Sequence, residues 1–96
     1  MNIIICDDRI DDRKNLSDLL SDYGEKKNYE FAITEYDSGE QLCEEQSALE
    51  ACQILFLDIN MQGMDGLKTA MRIKEKYPKL PVVLVTAYMN LSLIHI

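Results

Sequence analysis

The sequence predicts an α/β domain built on a doubly wound parallel sheet, and two observations carry that prediction. Ile3-Ile4-Ile5-Cys6, Ile54-Leu55-Phe56-Leu57 and Val82-Val83-Leu84-Val85 are short apolar runs of the kind that form strands buried on both faces. The segments between them have helical spacing, so strand and helix alternate and imply right-handed crossovers. Ninety-six residues allow one small domain, and 47% apolar content is enough for a core.

The elements follow in order. A first strand covers residues 2–6. A helix is expected over residues 9–23, with Leu16, Leu19, Leu20 and Tyr23 along one face. Asp11 and Asp12 fall in its first turn, where negative charge suits the helix dipole, and Gly24 is expected to close it. Residues 29–36 alternate Tyr29, Phe31 and Ile33 on one face, the period of a second strand. Ser38 reads as the N-cap of a second helix, with Gln41 three residues on. The third strand is expected over residues 54–57. After it, Gly63 and Gly66 loosen a loop that leads into a helix over residues 66–76. Leu67, Ala70, Met71 and Lys74 are expected along one stripe of that helix, Pro78 ends it, and residues 82–85 form the fourth strand.

The first and third strands both stop on acid. Asp7 and Asp8 follow the first, and Asp58 follows the third. In the flavodoxin-like strand order 2-1-3-4-5 these two strands flank the switch point, where ligands sit beyond the carboxyl ends. Two like charges at ~4 Å repel by about 4 kcal/mol at an effective dielectric of 20, a penalty that a divalent cation reverses. Oxygen-only ligands favour a hard ion such as Mg²⁺. The competing reading of Asp7 and Asp8 is helix capping, but one acid suffices for a cap and Asp11 and Asp12 already serve the dipole. Asp58 has a competing reading as an ordinary polar loop residue before a helix.

Composition narrows the function classes. A net charge of −7 argues against binding nucleic acid or an anionic membrane by electrostatics alone. No apolar stretch approaches bilayer-spanning length, and the opening residues lack the basic region of a signal peptide, which points to the cytoplasm. Cys6, Cys43 and Cys52 have no metal-type spacing, and Cys6 is expected to pack as a small apolar residue. Met61 and Met64 are expected to pack, Tyr88 is a candidate for a partner surface, and His95 supports no site.

The strings Ile5-Cys6-Asp7-Asp8, Phe56-Leu57-Asp58-Ile59-Asn60-Met61-Gln62-Gly63-Met64-Asp65-Gly66 and Val83-Leu84-Val85-Thr86-Ala87-Tyr88 together resemble response-regulator receiver domains. The resemblance spans residues 1–90 and is closest to receivers that precede LytTR-type DNA-binding domains. It implies phosphorelay signalling: Asp58 accepts a phosphoryl group from a sensor histidine kinase and so controls a transcriptional output located elsewhere. It also implies Mg²⁺ (or Mn²⁺) held by Asp7, Asp8, Asp58 and the Asn60 carbonyl, with Thr86 as the hydroxyl that turns to the phosphoryl group. On this reading the chain is a phosphoacceptor rather than an enzyme, and a receiver–receiver dimer is a further expected partner state.

Four departures stand out. Gln62 occupies a position where such domains often place proline, and Arg9 a position where they often place another acid. The lysine expected at the end of a fifth strand has no counterpart, so full switching activity is not expected. The chain closes on Leu91-Ser92-Leu93-Ile94-His95-Ile96 instead of a fourth helix, a fifth strand and a fifth helix. Residues 91–96 therefore read as a non-matching tail foreign to the domain, and the fourth strand is expected to expose an apolar edge. An alternative from another class is an interaction module that kept the fold and lost phosphorylation. A third reading, a phosphohydrolase with an aspartyl intermediate, would want a second acid where Asn60 stands.

Overall fold

A computed structural model describes residues 1–63 and 65–86 in full and the backbone of residues 92–95. The elements are β1 (Asn2–Cys6), α1 (Ile10–Lys27), β2 (Ala32–Tyr36), α2 (Gly39–Glu44), α3 (Gln46–Ala51), β3 (Ile54–Asp58), α4 (Gly66–Lys76), β4 (Val82–Thr86) and β5 (Ser92–His95). The sheet order is β2-β1-β3-β4-β5. The first four strands are parallel, with Cys6 opposite Leu57 and Asp58 opposite Val85. This is the flavodoxin-like arrangement that the alternating pattern implies.

The apolar runs form the centre of the sheet because both of their faces are covered. Ile4, Cys6, Leu55, Leu57, Val82 and Leu84 pack against Leu42, Leu49, Ala70 and Ile73 from α2, α3 and α4. On the other face, Ile3, Ile5 and Val85 pack against Leu16 of α1, with Leu20, Phe31, Ile33 and Phe56 partly buried around them. Cys6 is fully buried and its thiol is pushed up to about 12, chiefly by desolvation, so it serves as packing. Its Sγ lies 3.7 Å from Met61 Sδ, which confirms Met61 as a packing residue. Met64 and Tyr88 lie outside the described residues.

Several boundaries differ from the sequence expectation. Gly24 does not close α1. The helix runs on to Lys27, and Asn28 ends it in the left-handed region (φ 59°), its N–H donating to the Glu25 carbonyl. Gly24 is buried under the Phe31 ring, and its carbonyl accepts from Tyr29 N–H at 2.8 Å. That contact uses residues 28–31 as the return, so β2 starts at Ala32 and Tyr29 stays exposed. Leu19 and Tyr23 of α1 are also exposed, leaving Leu16 and Leu20 as the face that packs.

The stripe on α4 is also displaced. Leu67 and Met71 are 51% and 62% exposed, whereas Gly66, Thr69, Ala70 and Ile73 are buried. Small residues at 66 and 70 let the helix lie close to β3, so size rather than hydrophobicity selects the inner face. Lys74 does not pack along that face. Its ammonium donates to the Pro78 and Leu80 carbonyls, each at 3.0 Å, and ties off the turn after the helix.

A further correction concerns the edge of β4, which is not open. Ser92–His95 pairs with it antiparallel, Val83 opposite His95 and Thr86 opposite Ser92. Four residues at the antiparallel rise are long enough to satisfy that row of backbone groups. A parallel pairing of this strand would need a crossover of a dozen or more residues, and only five separate β4 from β5. Among the described residues, no helix is long and apolar enough to cross a membrane.

Gly66 is the tightest point of the framework. A Cβ there would lie 1.9 Å from the Asp58 carbonyl oxygen and 2.7 Å from Ile59 Cα, both backbone atoms that cannot move aside. Gly63 adopts φ +74°, yet a Cβ there would meet the movable tip of Glu40. Gly66→Ala is therefore expected to destabilise by more than about 3 kcal/mol, beyond ordinary overpacking. Gly63→Ala is expected to cost about 1–2 kcal/mol for the left-handed conformation. Urea unfolding of the two variants checks the ranking.

Candidate functional site

Two strand ends deliver the acids. The β1–β2 pairing continues one residue past β1, where Asp7 N–H donates to the Tyr36 carbonyl at 3.0 Å. Asp7 Oδ1 then accepts from Arg9 N–H at 2.9 Å, the local turn by which an aspartate leads a chain into a helix. Arg13 reaches back from α1 to donate to the Asp7 carbonyl at 2.8 Å and to Glu35 at 2.9 Å. Asp7 thus does take part in helix initiation, the competing reading, while its side chain also joins the acidic cluster.

Asp58 is the last residue of β3. Ile59 N–H donates to the Val85 carbonyl, extending the ladder one residue beyond it, and Asn60 N–H donates to Asp58 Oδ1 at 3.3 Å. Each of Asp7, Asp8 and Asp58 offers a carboxylate oxygen, and these oxygens all lie within 4.8 Å of one another. Asp7 and Asp58 are 7% and 5% exposed. The cluster opens into a cleft of about 780 Å³ walled by Asp8, Arg9, Asp37, Ser38, Asp58, Asn60 and Gln62.

The electrostatics are those of acids held together against their repulsion. Burial pushes Asp7 up to about 6, opposed by its bond from Arg9 N–H and reinforced by the charge of Asp58. Burial also raises Asp58, against the bonds it accepts from Asn60 N–H and from Asp7. The two titrate as a pair. Asp8 is held differently. Its Oδ2 accepts from Gln62 N–H at 3.0 Å, while its Oδ1 is buried with no hydrogen-bond partner among the described residues. A buried carboxylate oxygen without a donor is costly, and a hard cation shared with two neighbouring carboxylates would satisfy it. The donor set fits such an ion.

Every predicted site residue lies at the carboxyl edge of the sheet. Asp7, Asp8 and Asp58 converge, and Asn60 lines the same cleft. Thr86, half-buried, ends β4 one residue beyond the partner of Asp58. Sequence reasoning missed Asp37 and Ser38 as cleft residues. Asp37 follows β2 as the other acids follow β1 and β3, but the switch-point rule directs attention only to the two central strands. Arg13 was missed as well, since nothing in its spacing marks a residue that reaches back across a loop.

Fold and site together define a small flavodoxin-like domain with an acidic centre at its switch point. A family model, the response regulator receiver domain, matches residues 3–95, and the chain belongs to that family. It is 36% identical over 61 residues to the DNA-binding transcriptional regulator NtrC of Klebsiella pneumoniae, covering 64% of this chain and 13% of that protein. It is 38% identical over 79 residues to the response regulator protein FleR of Pseudomonas aeruginosa, covering 82% of this chain and 16% of that protein. The chain thus spans only a small part of the length of the curated relatives it matches. The structure is similar to response regulator TrrA of Thermotoga maritima, solved in complex with Mg²⁺ and BeF, with TM-score 0.77 and 27% identity over 92% of this chain and 70% of that one.

The raised acids give a signed pH dependence. Because Asp7 titrates higher folded than unfolded, its neutral form contributes stability that is fully present below about 4 and lost as pH rises through about 6. Asp7→Asn keeps the acceptor for Arg9 N–H and removes the charge. In EDTA it is expected to stabilise the protein by on the order of 2 kcal/mol at pH 7.5 and by nothing below pH 4. Urea titrations at the two pH values measure the difference.

Proposed function

We propose that Asp58 is the phosphoacceptor of this receiver domain and takes its phosphoryl group from a histidine kinase. The observation that carries the proposal is the convergence of three carboxylates on a solvent-open cleft, two of them buried and raised. An Asp58 oxygen attacks phosphorus, the bond from phosphorus to the donor's imidazole nitrogen breaks, and that nitrogen takes the electron pair and then a proton. The product is an acyl phosphate, later open to hydrolysis.

Asp7, Asp8, Asp58 and the Asn60 carbonyl are the groups proposed to hold Mg²⁺, with Mn²⁺ as a substitute of the same geometry. A bound divalent cation supplies charge neutralisation and alignment between two anions that otherwise repel. The protein's own residues do the rest. Asn60 N–H orients the Asp58 carboxylate, burial keeps competing water from its inner side, and the open cleft admits a macromolecular donor. The phosphoryl group carries about −1.5 to −2 charges, about one more than the carboxylate it caps, and brings three acceptors beside Thr86, whose hydroxyl is proposed to turn toward them.

The chain is accordingly read as a cytoplasmic phosphoacceptor and not as a turnover enzyme. Its phosphorylation would set the activity of an output, transcription control in the manner of NtrC, with a receiver dimer as one route. The Mg²⁺-dependent binding of beryllofluoride, followed by ¹⁹F NMR, tests the core of this. Wild type is expected to show bound fluoride resonances only with Mg²⁺, and Asp58→Asn to show none. Equal binding by both proteins, or binding by neither, would remove Asp58 from the role and favour a non-phosphorylated interaction module.

A further inference from the structure

The Gln62 backbone N–H has no counterpart in a chain with proline at that position, because proline has no N–H to donate. Here that N–H reaches from the β3–α4 loop across the site to Asp8 Oδ2 at 3.0 Å. The other oxygen of the same carboxylate, Oδ1, is buried and has no hydrogen-bond partner among the described residues. One oxygen is therefore tied to the backbone, and the other is left for a ligand.

We propose that Gln62 is a positioning residue that restricts Asp8 to one-oxygen ligation and thereby selects small octahedral cations over Ca²⁺ at the acidic cluster. The inference rests on the reading of that cluster as a divalent-metal site. Its physical basis is the difference between the ions. Mg²⁺ and Mn²⁺ accept single carboxylate oxygens in a compact octahedron, while Ca²⁺ takes six to eight oxygens and readily uses both oxygens of one carboxylate. An N–H bonded to Oδ2 obstructs two-oxygen ligation and withdraws that oxygen's charge from the ion. It also holds the carboxylate plane in place, so that less ordering is left for the ion to impose. Outer hydrogen bonds of this kind change metal affinity by about 10–100-fold.

The Gln62 side chain lines the cleft as well, so the backbone and side-chain contributions must be separated. Gln62→Ala removes the side chain and keeps the N–H. Gln62→Pro removes both. Mn²⁺ affinity is read directly by electron paramagnetic resonance of the free ion, and Ca²⁺ affinity by competition against it. The expected result is that Gln62→Ala retains wild-type Mn²⁺ affinity within about twofold and the wild-type preference over Ca²⁺. Gln62→Pro is expected to lose about tenfold in Mn²⁺ affinity and to reduce the Mn²⁺-to-Ca²⁺ preference by about fivefold.

A merely loosened loop would weaken both ions alike, so an unchanged preference in Gln62→Pro overturns the proposal, whatever happens to affinity. A loss of preference in Gln62→Ala overturns it too, because the side chain would then be responsible. The underlying site reading fails separately, if wild type and Asp58→Asn bind Mn²⁺ equally or not at all. Where Gln62→Pro does not fold, ¹H–¹⁵N spectra of wild type and Asp8→Asn decide instead. The Gln62 amide proton is expected to shift upfield in Asp8→Asn as its charged acceptor is lost, and an unmoved resonance rejects the bond.

Discussion

The mutual repulsion of Asp7, Asp8 and Asp58 is the constraint around which this domain is organised. Burying even one ionised carboxylate is expensive, and these oxygens crowd within 4.8 Å of one another. The chain limits the cost with backbone donors. Arg9 N–H serves Asp7, Asn60 N–H serves Asp58 and Gln62 N–H serves Asp8. Each donor comes from a loop, and each loop is held by something rigid behind it. Arg13 clamps the first loop through the Asp7 carbonyl, and the Gly66 N–H bonded to the Ile59 carbonyl clamps the second. The closeness of Gly66 to the Asp58 carbonyl follows from the same demand. The helix must start directly behind the strand end if the loop between them is to fold back over the acids.

Backbone donors orient the acids, but burial outweighs them, and with the neighbouring charges it keeps Asp7 and Asp58 raised despite their bonds. The raised pair marks the state that a cation would relieve. Three acids at the carboxyl ends of two neighbouring strands cost stability that an amide at one position would recover, so their charge points to use in function.

The parts of this fold that the sequence announced are those governed by a single strong signal. The continuous apolar runs, too short for helices and alternating with helical segments, read as central strands, and acid placed directly after them falls at the carboxyl edge. Ser38 and Gln41 announced the start of α2, where Ser38 Oγ accepts from Gln41 N–H at 3.1 Å. What the sequence concealed depended on tertiary fit. Gly24 resembles a helix terminator until Phe31 is packed over it, and the inner face of α4 is set by where small residues permit approach. Thr69 could not be placed by its polarity, because its hydroxyl is satisfied locally by the Asp65 carbonyl at 2.9 Å and it can be buried. The Gln62–Asp8 bond was hidden for a related reason. Sequence reading compares side chains, and the consequential difference from proline is a backbone proton.

On the proposed role of Asp58, the charge balance of the site sets what a switch would require. Three carboxylates and one divalent ion would leave about one net negative charge, and converting Asp58 to an acyl phosphate would raise this to about two. The new state must therefore be stabilised by contacts that the resting state lacks. A hydrogen bond from Thr86 to the phosphoryl oxygens contributes about 1.5–3 kcal/mol. A shift from 1:99 to 99:1 needs about 5.5 kcal/mol, so one hydroxyl is insufficient. Among the described cleft residues the cationic side chain is Arg9, held only by a 3.7 Å ion pair to Asp12 and otherwise 70% exposed. An exposed guanidinium in this position is screened by solvent and can supply only part of the difference. Thr86 lies opposite Ser92 on the β4 edge, so on the proposed role of Asp58 a turn of its hydroxyl toward the phosphoryl group would be felt first at that pairing.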